Sequence, residues 1–189
     1  MAQGKLIIIS GPSGVGKKTI LDEIMQDKSL NLHMSISMTT RLPRNNEQDG
    51  IDYFFTNVDH FKDLIQKNNF LEYAIYNNNY YGTPKSFVCD QLACGNNVLL
   101  EIETAGVKKL SSFDLPMTKI FIAPPSIETL KERLIKRNTE SMDVINQRLA
   151  KAKEELKLTK MYDYMVVNDE LNNCIEQLRS LIKQIINHD

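Results

Sequence analysis

The segment Gly11-Pro-Ser-Gly-Val-Gly-Lys17-Lys18-Thr19 places three glycines and a lysine at the spacing of a loop that cradles phosphate. Gly11, Gly14 and Gly16 open backbone conformations closed to other residues, so that successive N–H groups can converge on one anion. Lys17 adds a flexible point charge suited to the terminal phosphates of a nucleotide. The apolar run Lys5–Ser10 before the loop reads as a strand, and Ile20, Leu21, Ile24 and Met25 after it read as a helix. The unpaired N–H groups and dipole of that helix start favour an anion. The competing reading is a glycine-rich turn that binds nothing. One position departs from the strict pattern: a hydroxyl that would hold a metal is expected directly after the lysine, where Lys18 stands, and Thr19 comes one place later.

Further clusters could serve the same chemistry. In Ser37-Met-Thr-Thr-Arg41-Leu-Pro-Arg44, two arginines stand in a loop stiffened by Pro43, each offering a planar fork of donors to phosphate oxygens. The strand Asn97–Glu103 ends in Glu101 and Glu103, which could approach a magnesium ion through water or simply be solvated. Arg133 and Arg137 share one helical face, and Arg148 follows on the next helix. Lys131, Lys136, Lys151 and Lys153 are read as solvating residues. Asn168 ends the strand Tyr164–Val167, where a capping role before the last helix competes with a contact to a ligand.

The elements that position these residues alternate. Strands are predicted at 5–10, 33–37, 53–55, 70–76, 97–102, 117–122 and 163–167, and helices at 17–27, 58–67, 84–94, 104–110, 126–137, 141–158 and 170–187. This pattern implies an α/β fold with a mostly parallel central sheet. Asn77-Asn-Asn79 reads as a turn. Residues 37–83 and 131–148 break the simple alternation and read as two covers on a core, the kind of movable part that excludes water from a transferring phosphoryl group.

The 189 residues suffice for one domain with a substantial core. A composition of 42% hydrophobic and 25% charged residues is that of an ordinary globular protein, and a net charge of −1 gives no basic field for nucleic acid. No apolar run approaches a membrane span, and Met1-Ala-Gln-Gly leads straight into a strand, so neither a signal peptide nor a membrane is expected and a cytoplasmic location is. Cys89, Cys94 and Cys174 lack metal-site spacing and are expected as core or partly buried thiols of a reducing compartment. Phe54 and Phe55 read as core, and Tyr73, Tyr76 and Tyr80 as packing or surface residues.

The G-K-x-T form of the loop resembles that of nucleoside monophosphate kinases. Taken with Ser37-x-x-x-Arg41-x-x-Arg44, Gly50-x-Asp-Tyr53, Phe70-Leu-Glu72-Tyr, Asn79-Tyr-Tyr81-Gly-Thr83 and Val166-Val-Asn168-Asp169, the chain resembles guanylate kinases from about residue 4 to residue 184. The resemblance implies a single domain over 1–189: a three-layer α/β/α P-loop core (1–36, 84–130 and 149–189), a small α+β GMP-binding lobe (37–83) and a helical lid (131–148). It implies phosphoryl transfer from ATP, with Mg²⁺, to GMP or dGMP. Arg41, Arg44, Tyr53 and Tyr81 would hold the GMP phosphate, and Ser37, Glu72 and Thr83 would read the guanine, with Glu101 and Glu103 alongside. A carboxylate at Glu72 suits the N1–H and 2-amino donors of guanine, which adenine lacks on that edge. Lys17, Arg133, Arg137 and Arg148 would neutralise charge on the transferring group together with Arg41. Gly11, Pro12, Ser13, Gly14, Val15, Gly16, Lys18 and Thr19 would line the ATP phosphates, and Asn168 would approach its base. Where the family usually has Asp and Gln, this chain has Glu103 and Ala105. A monomer or homodimer is expected. Two alternatives stand beside this reading: a kinase-like module that binds a protein partner without catalysis, and a kinase with another acceptor. The GTPase signature N-K-x-D is missing from the sequence.

Overall fold

The computed structural model describes residues 3–76, 78–110, 113, 115–136 and 141–188. The first half of the chain forms β1 (Leu6–Ser10), α1 (Lys17–Ile24), β2 (Leu32–Met34), β3 (Met38–Thr39), β4 (Phe54–Phe55), α2 (Val58–Gln66), β5 (Phe70–Tyr76), β6 (Asn79–Pro84) and α3 (Lys85–Ala93). The second half forms β7 (Asn97–Glu101), α4 (Thr104–Leu110), β8 (Met117–Ala123), α5 (Ile127–Lys136), α6 (Met142–Lys157), β9 (Tyr164–Val167) and α7 (Leu171–Asn187).

Strand β1 sets the architecture, because Leu6, Ile7, Ile8 and Ile9 are all buried and so both faces of the strand must be covered. Ile7 and Ile9 pack with Ile20, Leu21 and Ile24 of α1 and with Cys174, Leu178 and Ile182 of α7. On the other face, Leu6 and Ile8 pack with Val88 and Leu92 of α3 and with Val107 and Leu110 of α4. Between these layers lies a parallel five-stranded sheet in the order β2-β7-β1-β8-β9. The expected three-layer α/β/α core with its parallel sheet is present. All five strands point their carboxyl ends to one edge, the edge at which open α/β sheets bind ligands.

A second, four-stranded sheet, β4-β3-β6-β5, branches off after β2. Its β5–β6 hairpin closes through Asn78, whose backbone is left-handed at φ 60. Asn77, part of the expected turn, lies outside the described residues. Phe61 of α2 stacks on Phe70 with ring centroids 4.3 Å apart, giving this lobe its own apolar centre. Helices α5 and α6 form a third cluster in which Leu130 and Leu134 meet Ile145, Leu149 and Ala152.

Four expectations need correction. The second strand ends at Met34 rather than at residue 37, because the chain there passes to the small sheet, and the Ser37 carbonyl accepts a hydrogen bond from the Phe54 N–H at 2.9 Å. The strand β6 was hidden in sequence: Gly82, Thr83 and Pro84 are all buried in succession, so no alternation betrays it. Cys89 and Cys94 are exposed, and Cys174 alone is buried. Phe54 and Phe55 are half-buried rather than core, Phe55 standing 5.9 Å beneath the Arg41 guanidinium.

Candidate active site

The loop after β1 is shaped by close approaches. At Gly14 the backbone is left-handed, with φ 89, and a Cβ would come 2.7 Å from Leu134 Cδ2 of α5. At Gly16, the residue capping α1, φ is 99 and a Cβ would come 2.8 Å from Asn168 Nδ2. Both positions therefore require glycine for conformation and for space. Asn168 stitches the loop to β9 by donating to the Val15 carbonyl at 2.7 Å. Its Oδ1 is buried without a partner.

Lys17 Nζ donates to the carbonyls of Gly11 at 2.6 Å and Pro12 at 3.2 Å, and stands 4.0 Å from Glu101 Oε1 at the end of β7. Burial pulls its pKa below the ordinary lysine range, and the carboxylate of Glu101 opposes that shift most strongly. Lys18 points the other way. It is paired with Asp22 at 3.1 Å on the exposed side of α1, so the residue at the expected hydroxyl position offers the loop only its backbone.

Two cavities border this loop, and a third adjoins the second of them. The first, about 510 Å³, lies between the loop, α5 and the start of α7, and its walls include Gly16, Thr19, Arg133, Lys136, Asn168 and Asp169. Arg133 donates to the Asp169 carbonyl at 3.0 Å, while its other terminal nitrogen, NH1, is buried without a partner. The second, about 380 Å³, is lined by Gly11, Ser13, Lys17, Tyr53, Glu101, Glu103, Arg148, Lys151 and Glu155. Arg148 reaches across to donate to Ser13 Oγ at 3.0 Å. The third, about 360 Å³, is walled by Ser37, Glu72, Tyr81, Ala105 and Gly106, and it shares Tyr53, Glu101, Ile102 and Glu103 with the second. These last two cavities are thus neighbouring parts of one cleft.

Glu72 dominates the third cavity. Its Oε1 accepts from the Thr83 hydroxyl at 2.9 Å, and its Oε2 lies 3.2 Å from where a Cβ at Gly106 would stand. Burial pushes its pKa up, with the Thr83 hydrogen bond and the charge of Lys109 pulling back. Thr83 is fully buried behind it, so its hydroxyl acts by holding the carboxylate. Tyr53 and Tyr81 meet edge to face at 6.1 Å, and the Arg41 guanidinium lies 5.4 Å over the Tyr53 ring.

The structure brings Lys17, Tyr53, Glu101, Glu103 and Arg148 to one chamber, and Ser37, Glu72 and Tyr81 to its neighbour. Arg41 lies over the Tyr53 ring, Arg44 is exposed and lines neither chamber, and Arg137 lies outside the described residues. Arg133 and Asn168 face the first cavity.

Two residues in this region, Glu47 and Glu155, were missed in the sequence, and Lys151, expected only as a solvating residue, lines the chamber. Glu47 binds Arg41 NH2 through Oε1 and the Arg44 N–H through Oε2, each at 2.9 Å, which fixes the arginine loop. This carboxylate keeps the Arg41 guanidinium more basic than usual, and the arginine holds Glu47 below the ordinary carboxylate range. Lys151 and Glu155 complete the chamber; burial pushes the Glu155 pKa up. Their signal was periodicity, since Arg148, Lys151 and Glu155 stand at i, i+3 and i+7 of one helix.

A glycine loop after the first parallel strand, a half-buried lysine in it and a two-part cleft beginning at that lysine are the features of a P-loop kinase of the nucleoside monophosphate class. The comparisons with known proteins specify which. The family described as "Guanylate kinase" matches residues 3–185. The curated guanylate kinase of Malacoplasma penetrans is 47% identical over 182 residues, covering 95% of this chain and 93% of that protein. That of Listeria monocytogenes serotype 4b is 43% identical, covering 96% and 88%. The crystal structure of guanylate kinase from Anaplasma phagocytophilum superposes with a TM-score of 0.75 at 26% identity, covering all of this chain and 89% of that one. The chain belongs to the guanylate kinase family.

Proposed function

We propose that the chain transfers the γ-phosphate of ATP to GMP or dGMP, giving ADP and GDP. The observation that carries this reading is Glu72: a half-buried carboxylate, held by Thr83, in a cavity that shares walls with the chamber of Lys17. Guanine presents two N–H donors to such a carboxylate, and an adenine in the same place would leave it buried and unpaired. Ser37 is available to donate to guanine O6.

An oxygen of the GMP phosphate attacks the γ-phosphorus in line; the new P–O bond forms as the bond from that phosphorus to the β–γ bridging oxygen breaks, and ADP leaves. A phosphate oxygen needs no general base. The work falls to positioning and charge neutralisation. Lys17 and Arg148 supply cations in the central chamber, and Arg133 supplies one from the first cavity, where Asn168 approaches the adenine. Arg41, Tyr53 and Tyr81 gather the acceptor phosphate. Arg44 and Arg137 join them by the family resemblance. Residues 37–83 and 131–148 are the covers that close over the two nucleotides.

Magnesium fits this site as a companion of ATP rather than as a resident ion. Among the described residues no group of three or more acidic, histidine or cysteine side chains could hold a metal alone. Glu101 and Glu103 could meet its water ligands, in keeping with the reluctance of Mg²⁺ to shed water. When bound, the ion neutralises charge on the β- and γ-phosphates.

No helix among the described residues is long and apolar enough to cross a membrane. We place the protein in the cytoplasm, as a monomer or homodimer. The test is diphosphate formation from MgATP with GMP, dGMP, AMP, CMP and UMP in parallel: turnover confined to guanine acceptors is expected, and equal use of AMP would overturn the acceptor assignment.

A further inference from the structure

The central chamber holds three carboxylates, Glu101, Glu103 and Glu155, and three cations, Lys17, Arg148 and Lys151. Lys17 stands against Glu101, and Lys151 stands against Glu103, its Nζ 2.8 Å from Oε2. Glu103 lines both the chamber and the cavity of Glu72, so its charge lies at the passage between them. Both intended ligands are polyanions. A bare carboxylate at that passage would repel them, and Glu155 on the same wall would add to the repulsion.

We propose that Lys151 is a positioning residue for the acceptor phosphate, acting by neutralising Glu103 and holding it against α6. The Glu103 carboxylate reaches from just beyond the end of β7 to α6 to make this pairing. Lys151 stands one turn after Arg148 on that helix, so the two cations share a face while Arg148 engages Ser13 of the phosphate loop. One helix thereby touches both the donor loop and the acceptor passage. Neither side chain of the pair is deeply buried, at 55% and 71% exposure, so the effect is that of one screened charge and the fold does not depend on it.

This inference rests on the acceptor reading of the Glu72 cavity, and the experiment separates the two. GMP binding is measured by titration calorimetry, without ATP or added metal, for wild type, Lys151→Met, Lys151→Arg, Glu103→Gln and the Lys151→Met/Glu103→Gln pair, with melting temperatures as a check on folding. Lys151→Met is expected to weaken GMP binding about fivefold, the scale of a single partly exposed ion pair, and by less as salt is raised. Lys151→Arg should bind as wild type does. In the Glu103→Gln background the same loss of Lys151 should change affinity by less than about twofold, because the carboxylate it pairs with no longer carries charge. Wild-type affinity in Lys151→Met would overturn the inference, and so would an undiminished penalty in the Glu103→Gln background, which would mean that Lys151 meets the ligand directly. A wild-type chain that binds no GMP would overturn the acceptor reading, and this inference with it.

Discussion

Lys17 makes its contacts within a loop that has few alternatives for a cation. Its replacement by alanine is expected to lower turnover by about a thousandfold or more, while the melting temperature holds or rises, because a partly buried ammonium whose pKa is lowered by burial gives up little stability when removed. Steady-state kinetics beside thermal melts check both halves. Glu72 carries the opposite signature for a carboxylate. Its folded pKa is raised by burial, so its charge costs stability above the unfolded pKa, the cost growing as pH rises through the folded value, and there is none at lower pH where both states are protonated. Glu72→Gln should therefore melt higher than wild type at neutral pH and lose that advantage in acid, while preference for GMP over AMP falls by about a hundredfold. Glu47 predicts a third pattern. Glu47→Ala frees the Arg41 guanidinium and the Arg44 N–H, and should raise KM for GMP about tenfold with kcat within about twofold, as expected when a charge-assisted contact that only preorganises is removed.

At the scale of elements, the loop, α1 and α7 were legible because their signals are local: glycine spacing, a helix start and an apolar stripe of Leu178 and Ile182. The hairpin strand β6 and the shortened β2 were less so, because a strand's partner lies elsewhere in the chain and its burial follows from that partner. The same reason hid Glu47 and Glu155 and made Lys151 read as merely solvating, since their roles depend on what faces them across space. Lys18 was a query in sequence that the structure answers by geometry, with Asp22 one turn along the helix. The α5–α6 pair is the element most open to a stability test. Leu134 is buried there at the centre of a small cluster and also touches the space left by Gly14. Leu134→Ala should cost about 2–4 kcal/mol in urea unfolding and also lower turnover, since it loosens the loop wall. Loss of stability with unchanged turnover would show that the loop does not lean on α5.

At the scale of the molecule, a parallel sheet with both faces covered presents one edge to solvent, and Lys17, Glu101, Glu103 and Asn168 stand along it. The small sheet has its own aromatic centre and the helix pair its own apolar cluster, and the sheet is also fastened to the core by Leu71, in the cluster of α3 and α4, and by Phe54 against Phe87. That arrangement suits an enzyme that must bring two polyanions together and exclude water while they react. The most direct measurement follows radiolabel from the γ-position of ATP in the presence and absence of GMP. Label appearing in GDP, with little released as inorganic phosphate when GMP is withheld, is the predicted result; label appearing only as inorganic phosphate, or remaining in ATP, would contradict phosphoryl transfer to GMP.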